Sequence, residues 1–113
     1  MHELALASEI VKNVSKLAHE NQAIKVTKLR LELGVMSGVE KEVFDFCFDM
    51  AAKNTILEGA ILSVEQIPLK VRCQKCFTIS SPEVFNIVCS DCESHDVVIV
   101  KGKELQILNM EIQ

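Results

Sequence analysis

Two matched cysteine pairs, Cys73-Gln-Lys-Cys76 and Cys89-Ser-Asp-Cys92, stand in the second half of the chain with twelve residues between them. Two residues inside each pair allow both sulfur atoms to turn toward one point, and four converging thiolates form the tetrahedral set that zinc prefers. Random placement seldom produces two such pairs, so the spacing predicts a four-sulfur zinc site. A site closed by four sulfur ligands has no open position for chemistry and usually stabilises a fold.

The composition describes a small acidic chain with enough apolar residues for a core. It has 113 residues, of which 49% are hydrophobic and 25% charged, and its formal net charge is -4. This length predicts one domain with room for a small subdomain. The acidic balance argues against a nucleic-acid partner, because proteins that bind nucleic acid present a basic face to the phosphates.

The ends of the chain and its cysteines bear on localisation. No apolar run reaches the roughly 18 residues of a membrane span. The start, Met1-His2-Glu3, does not open a secretory signal, which needs a basic segment before an apolar one. We therefore expect a cytoplasmic protein with no membrane partner. In a reducing compartment, paired cysteines indicate metal ligands before disulfides.

Hydrophobic periodicity divides the rest of the chain into helices and strands. Leu6, Ile10 and Val14 recur at helical spacing. Leu29 and Leu31 alternate with charged residues, as in a half-buried strand. The predicted elements are a helix over 4–19, a strand over 27–33, a helix ending near residue 53, and strands over 60–67, 97–100 and 104–112.

The second helix carries a start signal and a broad apolar face. The stretch Ser37-Gly-Val-Glu40 matches a capping box, which predicts Ser37 as the N-cap and Glu40 as its partner three residues later. Cys47 lies on the apolar face and is expected to be a small buried hydrophobe. Phe46 and Phe48 widen that face, so the helix is either well buried or presents a partner surface. The other predicted members of the face are Val43, Phe44, Met50 and Ala51.

The order of the elements predicts an α+β fold. We expect two helices on a small, mostly antiparallel three-stranded sheet, with an inserted zinc-ribbon-like subdomain that carries the four cysteines. The predicted domains are residues 1–69 plus 101–113, and the inserted residues 70–100. An insert of about 30 residues with few large apolar side chains cannot hold itself together alone, so zinc is needed to fold it.

The N-terminus is a second candidate metal site. The free amine of Met1, the backbone nitrogen of His2 and the His2 imidazole can converge on one metal ion. Amide nitrogens with imidazole favour a planar nitrogen geometry, which suits Ni(II) or Cu(II) over zinc. Glu3 adds a carboxylate or a second amide nitrogen. The alternative is a solvated chain end, which is common for terminal residues.

Four stretches together resemble the HypA/HybF family of hydrogenase nickel-incorporation proteins, and the resemblance spans the whole chain. The Met-His-Glu start combined with the cysteine quartet is its most specific part. The stretches are Met1-His2-Glu3-Leu4, Gly34-Val-Met-Ser-Gly-Val-Glu40, the two cysteine pairs, and Gly102-Lys-Glu-Leu105.

The resemblance implies a nickel metallochaperone and not an enzyme. It implies delivery of Ni(II) to the [NiFe]-hydrogenase large subunit, together with a nickel GTPase of the HypB type. In some bacteria the family also serves urease maturation. We expect a monomer or a weak homodimer. The implied nickel residues are Met1, His2, Glu3 and Glu40, and the implied ligands of a single structural zinc ion are Cys73, Cys76, Cys89 and Cys92.

Several alternatives stay open at this point. Glu40 is either a nickel ligand or a helix cap, and His95 is either an exposed loop histidine or an occasional zinc partner. For the whole chain, one alternative is a zinc ribbon that binds nucleic acid or another protein without a nickel role. A further alternative is a thiol oxidoreductase, although that activity usually uses one cysteine pair at a helix N-terminus.

Overall fold

The computed structural model describes residues 2–113, which form two helices and six strands. The contacts within this part of the chain define two compact units. The first comprises the chain up to Leu31, with Val39–Val64 and Ile107–Gln113, and the second comprises Glu32–Gly38 and Glu65–Gln106. The elements are α1 (Glu3–Glu20), β1 (Val26–Gly34), α2 (Lys41–Ala52), β2 (Ile61–Ile67), β3 (Lys70–Cys73), β4 (Ile79–Ser80), β5 (Val97–Lys101) and β6 (Leu105–Ile112).

Helix α1 confirms the helix predicted over 4–19. His2 is its N-cap residue, and the first intrahelical bond runs from the Leu6 N–H to the His2 carbonyl at 3.1 Å. Asn21 is its C-cap residue, and the Asn21 side-chain amide donates to the Leu17 carbonyl at 2.8 Å. One apolar stripe is buried, as expected for an amphipathic helix that packs on a core. Its buried residues are Ala7, Ile10, Val11, Val14 and Ala18.

The three-stranded sheet has β1 in its centre, with β2 on one side and β6 on the other. The Gly34 N–H at the end of β1 donates to the carbonyl of Glu104, just before β6, at 2.7 Å. β6 therefore runs antiparallel to β1. The Val35 N–H donates to the carbonyl of Ile67, the last residue of β2, at 3.0 Å. β1 and β2 therefore end side by side and run parallel. Helix α2 lies between them in the chain and supplies the crossover connection that a parallel pair needs.

The fold class predicted from the sequence is confirmed, with two helices, small three-stranded sheets and a four-cysteine cluster. The second sheet has the order β4-β3-β5, and both of its pairs are antiparallel. The domain division at residues 70 and 100 stays a prediction. Within residues 2–113, none of the helices is long and apolar enough to cross a membrane.

The start of α2 differs from the predicted capping box. Glu40 is the N-cap residue, not Ser37, and its side chain makes no capping hydrogen bond. The Glu40 N–H instead donates to the Glu3 carboxylate oxygen Oε2 at 3.1 Å. The prediction of Ser37 as the N-cap was wrong because a side chain from a distant part of the sequence caps the helix start.

The buried face of α2 is narrower than predicted. Phe44 and Phe48 are fully buried, and Ala52 joins them. Helices α1 and α2 pack against each other. The predicted face residues Val43 and Met50 are exposed, and Cys47 is half-buried. The expectation that Cys47 is a buried hydrophobe was therefore wrong, because the helix turns the Phe44 side toward the core.

Two glycines allow a close backbone approach in the second unit. A Cβ atom on Gly34 would lie 2.1 Å from the Gly102 carbonyl oxygen and 2.7 Å from the Lys103 nitrogen. Gly102 has a φ of +117°, and a Cβ there would lie 2.9 Å from the Leu69 Cα. Side chains at either position would separate backbones that are in contact, so only glycine fits.

We expect Gly34→Ala to lower the free energy of unfolding by about 3 kcal/mol or more, because its Cβ would overlap backbone atoms that cannot rotate away. Gly59→Ala is the matched control. Gly59 has a φ of +80°, but no atom lies within 4 Å of the position that its Cβ would take, so the cost is only about 1 kcal/mol of left-handed strain. Urea unfolding of the zinc-loaded proteins measures both values. Equal losses for the two variants would contradict the close approach.

Candidate functional site

The four paired cysteines converge on one point. Their sulfur atoms all lie within 4.8 Å of one another. Two of the separations are shorter, 3.6 Å between the Cys73 and Cys92 sulfurs and 3.5 Å between those of Cys76 and Cys89. Tetrahedral zinc, about 2.3 Å from each sulfur, holds its ligands about 3.8 Å apart. The cluster therefore has the size and the donor set of a structural zinc site.

Each cysteine pair forms the same local turn. The N–H groups of Lys75 and Cys76 donate to the Cys73 sulfur at 3.3 and 3.4 Å. In the second pair, the N–H groups of Asp91 and Cys92 donate to the Cys89 sulfur at 3.4 and 3.5 Å. Donors aimed at sulfur favour the charged thiolate, which is the form that binds metal.

The residue after each pair closes the turn in a left-handed conformation. Phe77 has a φ of 63° and donates its N–H to the Cys73 carbonyl at 3.1 Å. Glu93 has a φ of 62° and donates to the Cys89 carbonyl at 2.9 Å. This region disfavours residues with a Cβ atom by about 1–2 kcal/mol. The left-handed residues allow each turn to direct its pair of sulfurs toward the shared centre, and this convergence offsets the cost.

The hydrogen bonds of the cluster shift its thiols in different directions. The Cys76 N–H is the main cause that lowers the pKa of Cys73, to about 6. The Thr78 hydroxyl is the main cause that lowers the pKa of Cys76. The Ser94 backbone lowers the pKa of Cys92, but the neighbouring thiols and burial outweigh it and raise the value to about 12. Four adjacent thiols cannot all ionise without a cation, which is the role a bound dication fills.

The N-terminal candidate residues lie at the start of α1, in the first unit. His2 is exposed, and its side chain makes no capping bond. An open groove of about 530 Å³ is lined by residues from α1 and α2. The groove extends from His2 and Glu3, which we call the N-terminal tip, to the apolar side chains that line the rest of it. A metal held at the tip would therefore be accessible from outside. The lining residues are His2, Glu3, Leu4, Ala5, Val43 and Cys47.

The Glu3 carboxylate connects this tip to the second helix. Its oxygen accepts the N–H of Glu40 at 3.1 Å. That bond is the main cause that lowers the pKa of Glu3 below its ordinary value of 4.5. An acidic group at a helix N-terminus is also favoured by the helix dipole. The contact joins residues that are 37 positions apart, so no local sequence pattern could have indicated it.

The other predicted site residues are placed as follows. Met1 lies outside the described residues. Glu40 is exposed, and its carboxylate caps nothing. His95 is exposed and is not a member of the sulfur cluster. Sequence reasoning missed Thr78, which receives a hydrogen bond from the Cys76 thiol at 3.3 Å. A hydroxyl two residues after a paired cysteine was the available signal.

Comparisons with known proteins identify the family. A family model described as hydrogenase/urease nickel incorporation, metallochaperone, HypA matches residues 1–112. The chain is 39% identical to the hydrogenase maturation factor HypA of Chlorobium phaeobacteroides and 39% identical to that of Prosthecochloris aestuarii, with all of each chain covered in both cases. The solution structure of the nickel metallochaperone HypA from Helicobacter pylori superposes with a TM-score of 0.73 at 26% identity, over 99% of this chain and 97% of that one.

The chain therefore belongs to the HypA family of nickel metallochaperones for hydrogenase and urease. The predicted resemblance, function and cofactors are confirmed at this level, since nickel incorporation is the family's role and the four-cysteine cluster fits structural zinc. The alternative of a zinc ribbon without a nickel role is not favoured.

We expect Cys76→Ser to weaken zinc binding by more than about a hundredfold, since even outer contacts of a metal site are worth 10–100-fold. Cys47→Ser is the matched control, because Cys47 lies on α2 outside the cluster. Competition with a chromophoric zinc chelator measures both affinities. Equal affinities in the two variants would exclude the quartet as the zinc site.

We expect the Glu3–Glu40 contact to be lost in acid. The pKa of Glu3 is lowered in the folded chain, so its stabilising effect is complete above the ordinary value of 4.5 and is lost as the pH falls through the lower folded value. The amide shift of residue 40, followed by NMR in a Glu40→Gln background that removes this residue's own carboxyl group, should titrate in that acidic range. In Glu3→Gln this titration should disappear, whereas Glu9→Gln should keep it. Its persistence in Glu3→Gln would mean that another group causes it.

Proposed function

We propose that this chain carries nickel on its first residues and hands it to a maturing metalloenzyme, while its cysteine quartet holds structural zinc. The full-length match to the HypA family carries this proposal. A delivery protein must bind its cargo and then release it. A terminal, exposed site can do so without unfolding the domain that presents it.

The nickel ligands in this proposal are the Met1 amine, the His2 backbone nitrogen and imidazole, and the Glu3 backbone nitrogen. The first intrahelical bond of α1 starts at the Leu6 N–H. A metal can therefore take the His2 and Glu3 nitrogens without breaking a helical hydrogen bond. A planar set of nitrogens with deprotonated amides suits Ni(II).

The roles of the two acidic residues differ in this proposal. The Glu3 carboxylate already accepts the Glu40 N–H, which favours its amide nitrogen over its carboxylate as the ligand. The Glu40 carboxylate makes no capping bond. It can therefore turn toward a bound metal, and we assign it a contact with nickel or with the water around it.

The zinc ligands in this proposal are the four clustered cysteines. Zinc on Cys73, Cys76, Cys89 and Cys92 closes the coordination sphere and leaves no open position, so its role is to stabilise the fold. We further propose that residues 70–100 act as the inserted zinc domain. Residues 1–69 plus 101–113 then act as the nickel-binding domain.

The partners and the setting follow from this role. We propose that the chain is not an enzyme, and that it works with a nickel GTPase of the HypB type and with the hydrogenase large subunit or urease maturation factors. We propose that it does so in the cytoplasm, where thiols stay reduced and available to zinc. A monomer or a weak homodimer is sufficient for such delivery.

We expect His2→Ala to weaken nickel binding by at least about tenfold, because the imidazole closes the nitrogen plane. His19→Ala is the matched control, since His19 is an exposed histidine at the other end of the same helix. Equilibrium dialysis of untagged protein measures both. Undiminished affinity in His2→Ala would refute the N-terminal site.

A second modification tests the amine. Acetylation of the Met1 amine leaves every side chain unchanged, converts that amine into an amide and adds no new free amine. We expect the loss of nickel affinity to match that of His2→Ala, with zinc content unchanged. Nickel affinity equal to that of the natural chain would remove the amine from the ligand set.

A further inference from the structure

One face of α2 exposes a row of apolar side chains. Val43, Phe46 and Met50 recur at helical spacing, and 41%, 67% and 47% of their surfaces are exposed. We name this row the α2 stripe. The residues that anchor α2 to the core, Phe44 and Phe48, lie on the opposite side of the helix. The stripe is therefore not needed for packing within the first unit.

The α2 stripe has different neighbours on its two sides. At 100° per residue, an acidic row lies along one side of it. This row consists of Glu42, Asp45 and Asp49, of which Asp45 pairs with Lys41 at 2.8 Å. Along the other side lies Cys47, which together with Val43 lines the groove shared with the start of α1. The stripe thus runs between negative charge and the groove that contains His2.

We propose that the α2 stripe is the docking surface for an amphipathic helix of a partner protein, one with apolar residues on its inner face and lysine or arginine along one edge. Three exposed side chains at helical spacing match the residues that a helix buries when it lies along another helix. The acidic row pairs with the basic edge and fixes the direction from which the partner approaches.

A second copy of this chain fits the surface less well. A symmetric antiparallel pair of α2 helices would bring Glu42, Asp45 and Asp49 of one copy toward the same residues of the other, and like charges at an interface oppose association. A small ligand also fits poorly, because the groove is open and holds few polar groups to orient one. An amphipathic helix with a basic edge is the occupant that can both pack on the α2 stripe and pair with the acidic row.

Docking there would bring the partner beside the N-terminal tip, because Val43 belongs to both the stripe and the groove that His2 lines. The proposal does not depend on nickel binding. It is tested on metal-free N-terminal sites, so its failure and the failure of the nickel assignment are separate outcomes.

The experiment uses the zinc-loaded full chain and two synthetic peptides. Both peptides have leucine on one helical face; one has lysine along the edge and the other has glutamate there. NMR titration should show that the lysine peptide shifts the amides of α2 and binds at least about tenfold more tightly than the glutamate peptide. Shifts confined to other elements, or equal affinity for the two peptides, would overturn the proposal.

Variants of the stripe complete the test. Phe46→Ser with Met50→Ser should weaken the lysine peptide at least about tenfold. Ile24→Ser removes a comparably exposed apolar side chain away from α2, and it should leave the affinity unchanged. Equal effects of the two variants would overturn the proposal. Sedimentation of the chain alone gives the last outcome: self-association that the stripe variant abolishes would assign the surface to a second copy instead.

Discussion

Four sulfur atoms within 4.8 Å of one another are the constraint on which the second unit depends. Thiolates at that distance repel, and only a cation at their centre lets all four ionise. Apolar packing in this unit is limited, and its buried apolar residues besides Cys73 and Cys89 are Leu33, Ile67, Leu69 and Val71. The metal therefore replaces the core that so short a segment cannot build.

The first unit depends on a different kind of contact. Its apolar core, with Leu29 and Leu31 of β1 and Phe44 of α2, supplies the burial. The polar contact between Glu3 and the Glu40 N–H joins the start of α1 to the start of α2. The Glu3 carboxylate thus caps the start of α2. The same hydrogen bond holds Glu3, the residue next to His2, in place. This arrangement links the proposed cargo site to the helix that carries the α2 stripe.

Much of the fold could be predicted because its signals are local. The period of apolar residues located α1 and β1, and the cysteine spacing located the zinc cluster. The failures have one physical cause. Ser37 matched the local sequence rule for an N-cap, but in the structure the N-cap residue is Glu40, and its N–H is bound by the carboxylate of Glu3 from α1. Cys47 satisfied the local rule for burial, but the orientation of α2 is set by where Phe44 and Phe48 find their partners.

The sequence by itself determined the helices, the central strand, the four-sulfur site and the family. Each of these depends on residue types at short spacing or on the order of motifs along the chain. Only the tertiary structure decided that β2 is parallel to β1, that Gly34 and Gly102 must both lack a side chain, and that Glu3 caps α2. These features join residues far apart in the chain. Their energies come from backbone contacts and hydrogen bonds that exist only after the chain has folded.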